Sequence, residues 1–204
     1  PDAACMRGIH TGEWTAHIFE YAMSFEGNMT QVRELAAANG VGVLHPHGAL
    51  ATDPPGLIVC DVDSTVTRTE AIDLLAECAG KADEVREITA RAMVGELDFT
   101  QSLYARVRCL EGLHIGALEE AWKATVITPG TAELVAAAHD VGAAVGLVSG
   151  GFTAVVDPLA EQIGADFAAS NELEIVDNHL TGRVVGDIID RAAKATWLRR
   201  WASE

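Results

Sequence analysis

The stretch GLIVCDVDSTVTRTE, residues 56–70, joins a short apolar run directly to two acidic side chains. The four residues LIVC are apolar without alternation, which is typical of a strand covered on both faces. Asp61 and Asp63 follow at once, two residues apart. The stretch therefore predicts a buried strand whose carboxyl end carries two carboxylates, and a plain turn is the alternative at this point.

The chain on the carboxyl side of this strand alternates between helical and extended patterns. Four helical stretches occupy about residues 72–126, and AAVGLVSGG, residues 143–151, reads as a second buried strand. After a further helix come a third strand at DFAAS and a hairpin around Asp177-Asn178. This order predicts an α/β fold, a mainly parallel Rossmann-like sheet with helices on both faces. The run of helices is too long for one crossover, so it predicts a helical-bundle cap inserted at about 72–128.

The first 55 residues predict a separate, short α+β segment. HIFEYAMSF (17–25) alternates like a strand, residues 28–40 have a helical pattern that ends at Gly40, and GVGVLH (40–45) reads as a second short strand. The turn-rich ATDPPG (51–56) is the best candidate for a linker. We therefore expect a strand-helix-strand unit over 1–55 and a second domain over 56–204.

Composition excludes several classes of partner. Thirty acidic residues against 14 basic ones give a net charge of −16, which repels nucleic acid and anionic lipid surfaces. The longest uncharged run has sixteen residues and four glycines, which is short for a membrane span. The four cysteines are widely scattered and indicate reduced thiols. With no pattern of a signal peptide, the expectation is a cytoplasmic protein, and the acidic composition does not exclude a small anionic ligand.

The two carboxylates suit phosphoryl chemistry. Mg²⁺ prefers one or two carboxylates together with water and a substrate phosphate. A carboxylate can also attack phosphorus, while a second one protonates the leaving oxygen and later deprotonates water. A helix-loop-helix calcium site is excluded, because its sixth and twelfth positions would fall on Val66 and Ile72.

Two further features could bind the phosphate. Ser149-Gly150-Gly151 follows the second apolar strand and offers a hydroxyl and backbone N–H groups at the start of a helix. Lys194 offers a cation. A plain turn and a solvated lysine are the alternatives when each is taken alone. A serine-hydrolase elbow is excluded because residue 147 is leucine where that motif requires glycine.

Taken together, these motifs resemble the phosphoserine phosphatases of the haloacid dehalogenase superfamily, from about residue 57 to the end. The matching segments are DVDST (61–65), RAMVGELDFTQSLYARV (91–107), LVSGGF (147–152) and GDIIDRAAKA (186–195). The resemblance implies Mg²⁺-dependent hydrolysis of O-phospho-L-serine, the last step of serine biosynthesis, through an aspartyl-phosphate. The N-terminal segment resembles part of an ACT-like regulatory module. Whether the protein forms a homodimer is left open at this point.

The resemblance also assigns roles to single residues. Asp61 would be the nucleophile, Asp63 the general acid and base, and both would hold the metal. The remaining residues would contact the substrate: Glu70 its amino group, Met93 and Phe99 its apolar surroundings, Arg106 its carboxylate, and Ser149, Gly150 and Lys194 its phosphate.

One motif of the family is absent from these 204 residues. The family carries GDGxND on a later strand, and no such segment occurs here. The sequence therefore predicts either a piece of a longer enzyme or a natural remnant, and it leaves open in both cases that these 204 residues are inactive as they stand. Two alternatives follow, namely a phosphatase or phosphotransferase acting on another small phosphomonoester, and a non-catalytic binding protein that keeps the pocket.

Overall fold

The structure is a computed structural model that describes residues 5–10, 15–20, 28–45 and 48–204. By its internal contacts the chain divides into two units, Pro1–Pro54 and Pro55–Glu204. Among the described residues, no helix combines the length and the apolar character needed to cross a membrane.

The first unit contains an antiparallel strand pair followed by a helix. The strands are β1, Cys5–His10, and β2, Thr15–Glu20, and the helix is α1, Met29–Ala38. The side chain of Asn28 begins the helix by accepting a hydrogen bond from the N–H of Thr30 at 2.9 Å. The strand expected over 17–25 corresponds to β2 as far as Glu20, and 21–25 lie outside the described residues.

The second strand expected in this unit, over 40–45, is not formed. Residues 41–45 have no regular secondary structure, and Leu44 is 94% exposed. An extended segment becomes a strand only when a neighbour pairs its N–H and C=O groups, and no described residue pairs with these. The strand-helix-strand expectation is therefore wrong within the described residues, where the order is strand, strand, helix.

The second unit is built on a four-stranded sheet in the order β3-β4-β5-β6. Its first three strands are parallel and β6 is antiparallel to β5, so the expected mainly parallel sheet is confirmed. Asp177 and Asn178 form the expected hairpin turn with φ of 49° and 61°, the left-handed values that a two-residue turn requires. The strands are β3 Leu57–Cys60, β4 Ala144–Phe152, β5 Phe167–Val176 and β6 His179–Val185.

The expected helical bundle lies between β3 and β4 in the chain. Its buried side chains, among them Leu75, Val85 and Val107, pack with Leu173 and Leu180 of the hairpin. The bundle thus rests on the β5–β6 hairpin and overlies one end of the sheet. Its helices are α2 Ala71–Cys78, α3 Ala82–Met93, α4 Phe99–Arg108 and α5 Gly116–Ala124.

Helices cover both faces of the sheet. Successive residues of β4 point to opposite sides, so their packing partners show which helices lie on each face. Val145 and Leu147 pack among residues of two helices on one face. Val148 packs with Trp201 on the other face. The covering helices are α6 Thr131–Asp140 and α7 Thr153–Ile163 on the first face, and α8 Arg191–Trp201 on the second.

Candidate active site

A cavity of about 220 Å³ opens where β3 and β4 end, beneath the helical bundle. In parallel sheets this edge is the usual place for a ligand, because the loops that follow the strands meet there. The lining contains every residue predicted for the site except Met93 and Ser149. The lining residues are Asp61, Asp63, Glu70, Ile72, Phe99, Leu103, Arg106, Gly150, Gly151, Phe152 and Lys194.

Asp61 directly follows β3 and is held by two donors at one oxygen. Its Oδ1 accepts hydrogen bonds from the Val62 N–H at 2.9 Å and from the Lys194 ammonium at 2.7 Å. Among the described residues no donor is recorded for Oδ2. The carboxylate is therefore fixed in orientation and neutralised by a cation, with one oxygen available to a ligand.

Asp63 lies in the tight turn between β3 and α2 and accepts hydrogen bonds at both oxygens. The turn, Val62–Val66, places Ser64 in the left-handed region with φ of 56°. Oδ1 of Asp63 accepts the N–H of Ala71 at 2.9 Å, and Oδ2 accepts the Ser149 hydroxyl at 3.0 Å. Ala71 begins α2, so the carboxylate also satisfies an otherwise unpaired N–H at a positive helix end.

Glu70 directly precedes α2 and faces the cavity from the side of the bundle. Its Oε1 accepts a short hydrogen bond from the Ser64 hydroxyl. Burial raises the pKa of Glu70, and the negative charges of Asp63 and Asp73 add to the rise. The Ser64 hydrogen bond and the Arg106 cation act in the opposite direction. A cation that entered the cavity here would favour the ionised form of this carboxyl group.

Arg106 projects from the last turn of α4, and its Nε donates to the Ser102 carbonyl at 3.3 Å. Burial lowers the pKa of Arg106, partly offset by Glu70, Asp73 and Asp63 in that order. The guanidinium nevertheless stays charged at neutral pH, since its ordinary pKa lies far above that range. A partly desolvated guanidinium favours a carboxylate, which it can bind through two parallel hydrogen bonds.

The segment Ser149–Gly151 lies at the carboxyl end of β4. Two close approaches explain its glycines, because a Cβ on Gly150 would lie 2.7 Å from Phe99 Cζ and one on Gly151 would lie 2.5 Å from Asp63 Oδ2. Ser149 itself is fully buried beneath the cavity. Its hydroxyl accepts the Gly151 N–H at 2.8 Å and donates to Asp63, so it supports the site from below.

Met93 departs from the sequence-based prediction. It is the last residue of α3 and is 83% exposed, outside the residues that line the cavity. The helix ends there and the chain turns at Gly95, whose φ of 82° reverses its direction, so the side chain remains at the surface of the bundle. The expected apolar wall is formed instead by Phe99 with Ile72 and Leu103.

Some residues of the site were missed by the sequence analysis. Ile72 and Leu103 occupy apolar positions of helices, and no local pattern separates a cavity wall from a core position. Asn171 is buried and bonds to the Gly150 carbonyl, but a single polar residue in a strand carries no motif. Gly151, by contrast, was not missed, because it belongs to the Ser149-Gly150-Gly151 segment that the sequence already indicated as a possible phosphate-binding feature.

Comparison with known proteins identifies relatives for most of the chain. The family model of haloacid dehalogenase-like hydrolases matches residues 58–204. A phosphoserine phosphatase of Streptomyces coelicolor is 51% identical over 168 residues, which are 82% of this chain and 41% of that protein. One of Streptococcus thermophilus is 48% identical over 73% of this chain and 69% of its own length. The chain thus spans about two fifths of the first relative and about two thirds of the second.

Solved structures give the same relationship. A structure described as a phospho-aspartyl intermediate analogue of phosphoserine phosphatase superposes with a TM-score of 0.69 at 39% identity, covering 74% of this chain and 72% of that one. A substrate-bound phosphoserine phosphatase complex superposes equally well at 38% identity, with the same coverage. Both alignments cover about three quarters of this chain.

Proposed function

The chain belongs to the haloacid dehalogenase-like hydrolases, and from this premise we propose that the protein hydrolyses O-phospho-L-serine to L-serine and phosphate. One observation carries the proposal: a single cavity brings together Asp61, Lys194, Glu70 and Arg106. Lys194, Glu70 and Arg106 would pair with the phosphate, the ammonium and the carboxylate of phosphoserine, and Asp61 would supply the nucleophile. The named relatives and the two superposed structures support the same substrate.

The expected pose follows from charge. The phosphate would lie between Lys194 and the backbone of Gly150–Gly151, close to Asp61. The substrate ammonium would pair with Glu70, which would keep that carboxyl group ionised despite its burial. The substrate carboxylate would bind Arg106, whose planar guanidinium matches it with two hydrogen bonds. Phe99 would cover the short apolar part of the ligand.

The reaction would proceed in two displacements at phosphorus. In the first, a carboxylate oxygen of Asp61 forms a bond to phosphorus, and the bond from phosphorus to the serine oxygen breaks. The leaving oxygen keeps the electron pair and takes a proton from Asp63. In the second, water attacks phosphorus while giving a proton to Asp63, and the electron pair of the broken bond returns to Asp61. Both aspartates end in their starting states, so atoms and charges balance.

The environment of Asp61 suits the first step. Because Lys194 and the Val62 N–H hold Oδ1, the plane of the carboxylate is fixed and Oδ2 can face the phosphorus. Asp63 accepts one donor at each oxygen, which leaves further lone pairs for a proton. The short turn between the two aspartates keeps both carboxylates at one edge of the sheet.

We also propose Mg²⁺ as the cofactor. Its ligands from this chain would be the Asp61 carboxylate and the Asp63 backbone carbonyl, an oxygen set that suits an ion that retains waters and binds substrate phosphate. The described residues contain no group of three or more His, Cys, Asp or Glu side chains that could hold a metal. When bound, the ion would offset negative charge on the phosphoryl oxygens.

The full-length protein tests the reaction and the metal separately. Phosphate release from phosphoserine should fall by at least about 10³-fold in Asp61→Asn, since loss of a nucleophile removes the covalent route. The matched control is Asp83→Asn, a 97% exposed carboxylate on α3, which should release phosphate like the wild type. An unchanged rate in Asp61→Asn would exclude the nucleophile assignment. Equal rates with and without EDTA would exclude the metal and leave the hydrolysis standing.

The same protein tests the choice of substrate. Phosphoserine, phosphothreonine and a sugar phosphate should be hydrolysed in competition, with Arg106→Ala beside the wild type. Loss of Arg106 should harm only the amino-acid substrates. If the sugar phosphate is preferred by the wild type, the protein acts on another small phosphomonoester and the phosphoserine proposal is wrong.

We propose a cytoplasmic location, which is supported by the free thiols of the three cysteines whose side chains are described, Cys60, Cys78 and Cys109. The homodimer stays a prediction, and the sedimentation coefficient of the full-length protein would decide it.

A further inference from the structure

Asn171 is a buried polar residue in the middle of β5, and the reaction proposed above does not use it. Its exposure is 1%, and it lies opposite Phe152 of the neighbouring strand β4. Lone amide side chains are rarely buried to this extent unless both of their ends are hydrogen-bonded, because an unsatisfied buried group is costly. The contacts of Asn171 therefore indicate what the residue does.

The side chain joins the carboxyl end of β4 to the segment that precedes α8, and both lead to the cavity. Its Nδ2 donates to the Gly150 carbonyl at 2.9 Å, and its Oδ1 accepts the Ile189 N–H at 2.9 Å. A carbonyl only accepts and an amide N–H only donates, so these partners determine the orientation of the amide. An ionised aspartate of the same shape could serve Ile189 but would repel the Gly150 carbonyl. The site thus calls for an amide at this position.

The first contact fixes the peptide between Gly150 and Gly151. A trans peptide is planar, so a carbonyl held toward Asn171 directs the Gly151 N–H to the opposite side. That N–H donates to Ser149 Oγ at 2.8 Å, and the Ser149 hydroxyl donates to Asp63 Oδ2 at 3.0 Å. One hydrogen bond from Asn171 therefore sets the direction of a series of hydrogen bonds that ends on the carboxylate of Asp63.

This peptide needs such a support because glycine permits many backbone conformations. Glycine is required on both sides of the peptide by the close approach of Phe99 and of Asp63 Oδ2. If the peptide reversed, the Gly150 carbonyl would point toward the side of Ser149 and Asp63, where negative charge already lies. The contact with Asn171 stabilises the orientation that presents an N–H there instead.

The second contact anchors the segment that leads into α8. Ile189 directly precedes Asp190, whose side chain accepts the Ala193 N–H at 2.8 Å and so begins the helix. Lys194 stands one turn into α8, and its ammonium donates to Asp61. Holding Ile189 therefore holds the start of the helix that carries the cation of the site.

We propose that Asn171 is a positioning residue for phosphate recognition, which it supports by orienting the Gly150–Gly151 peptide and the first turn of α8 together. The inference rests on the proposed function, because it assumes that phosphate binds between these two segments. Glu70 and Arg106 come from the helical bundle, and their own side-chain hydrogen bonds go to Ser64 and Ser102 and not to the two segments that Asn171 joins. Asn171 should therefore matter for phosphate and not for the amino-acid part of the ligand.

The test compares two small probes on the full-length protein with Mg²⁺ present. Binding of inorganic phosphate and of L-serine is measured by calorimetry for the wild type, Asn171→Asp and Asn171→Ala. Phosphate affinity should fall by about tenfold in both variants, the size expected when one buried hydrogen-bonding group loses its partner. L-Serine affinity should stay within about twofold, which is roughly 0.4 kcal/mol.

Ser170→Ala is the matched control. Ser170 is the adjacent residue of β5, and its hydroxyl is buried with no hydrogen-bond partner among the described residues. Removing it should leave both affinities unchanged. An equal loss of phosphate and L-serine binding in the Asn171 variants would show a merely structural role and overturn the inference, as would unchanged phosphate binding.

Failure of the proposed function would look different, since the wild type itself would then fail to hydrolyse phosphoserine, whatever the Asn171 variants do to phosphate binding. A measurement on the wild type alone covers the case in which the variants do not fold. Its Ile189 amide should exchange with solvent at least about 100-fold more slowly than an exposed loop amide, because its donated hydrogen bond is buried. Exchange at the rate of an exposed amide would refute the contact on which the inference depends.

Discussion

The ammonium of Lys194 lies 2.7 Å from Oδ1 of Asp61, although 133 residues separate them in the chain. Their side chains are 29% and 49% exposed, so solvent screens this ion pair only in part. β3 carries the carboxylate and α8 carries the cation, and the two are brought together at the carboxyl edge of the sheet. The pair defines the end of the cavity where the phosphate is proposed to bind.

The first prediction concerns the charge of Lys194. Lys194→Met keeps much of the length of the side chain but removes the cation, so Asp61 and the phosphate would face each other without compensation. We expect kcat/KM for phosphoserine to fall on the order of 100-fold, as when one preorganised donor to a transferring group is lost. Steady-state phosphate release measures the effect, and a melting curve confirms that the variant is folded.

The control for Lys194 is Lys123→Met. Lys123 also pairs with a carboxylate, Glu119, at 2.7 Å, but both side chains are 69% exposed on α5. Exposed pairs of this kind contribute little, so activity and melting temperature should both be close to those of the wild type. Similar activity in the two lysine variants would contradict the assigned role of Lys194.

The second prediction concerns the space at Gly151. A Cβ at this position would lie 2.5 Å from Asp63 Oδ2 and 3.0 Å from Ser149 Oγ, so Gly151→Ala must displace the carboxylate. We expect kcat to fall on the order of 100-fold, since a small displacement of a catalytic group is expensive. The added methyl group should also lower the free energy of unfolding by about 1–3 kcal/mol.

Gly56→Ala serves as the control, because a Cβ on Gly56 would meet nothing within 4 Å and its φ is not in the left-handed region. Both kcat and stability should be retained in that variant. If Gly151→Ala kept full activity, Asp63 would not need its observed position for the reaction.

Much of the fold was predictable, because it depends on patterns that are local in the chain. The uninterrupted apolar runs of β3 and β4 indicated buried parallel strands, and Asp177-Asn178 indicated the hairpin turn. The site residues that lie directly at the ends of these strands could be named for the same reason. Lys194 could be named despite its distance in sequence, because the resemblance of GDIIDRAAKA (186–195) to a motif of the family assigned it to the phosphate.

The remainder depended on tertiary contacts that no local pattern encodes. Residues 40–45 alternate like a strand, but they have no pairing partner among the described residues. The family resemblance assigned Met93 to the apolar surroundings of the substrate, whereas the end of α3 leaves it exposed. Asn171 is identified only by two backbone groups, at Gly150 and Ile189, which approach it from other segments.

The third prediction concerns the pH dependence of stability at Glu70. Burial raises the pKa of this carboxyl group in the folded protein, so the folded state binds its proton more tightly than the unfolded state does. The stabilisation that protonated Glu70 contributes is therefore fully present below the pKa of this group in the unfolded state, and it is lost as the pH rises through the pKa of the group in the folded state. Glu70→Gln, which cannot ionise, should melt higher than the wild type at pH 7 by about 1–2 °C, since burial is partial.

The difference in melting temperature between Glu70→Gln and the wild type should vanish below about pH 4, where the carboxyl group of Glu70 is protonated in the folded and the unfolded state alike. Melting temperatures between pH 4 and pH 8 measure it, with Glu77→Gln as the control because Glu77 is an exposed carboxylate of the same helix α2. The stabilised Glu70 variant should bind L-serine less well, because it lacks the partner of the ammonium. A variant that melts lower than the wild type at pH 7 would contradict the effect of burial.

The last prediction concerns the packing of the hairpin against α4, the helix that carries Arg106. Gly182 of β6 has φ of 76°, and a Cβ there would lie 3.0 Å from Glu111 Cβ and 3.3 Å from Arg108 Cα. Gly182→Ala should push α4 away and move Arg106. We expect KM for phosphoserine to rise about tenfold, the size of a lost charged hydrogen bond, while phosphoethanolamine, which has no carboxylate, is hydrolysed as before.

Gly186→Ala separates this packing effect from backbone strain. Gly186 has nearly the same φ, 75°, but a Cβ there would meet nothing within 4 Å. Both variants should lose about 1–2 kcal/mol of stability, because an alanine in the left-handed region is strained. Only Gly182→Ala should change the ratio of kcat/KM for phosphoserine to that for phosphoethanolamine, because only there does the methyl group contact the helix of Arg106. A similar change of this ratio in both variants would attribute it to strain in β6 and not to the position of α4.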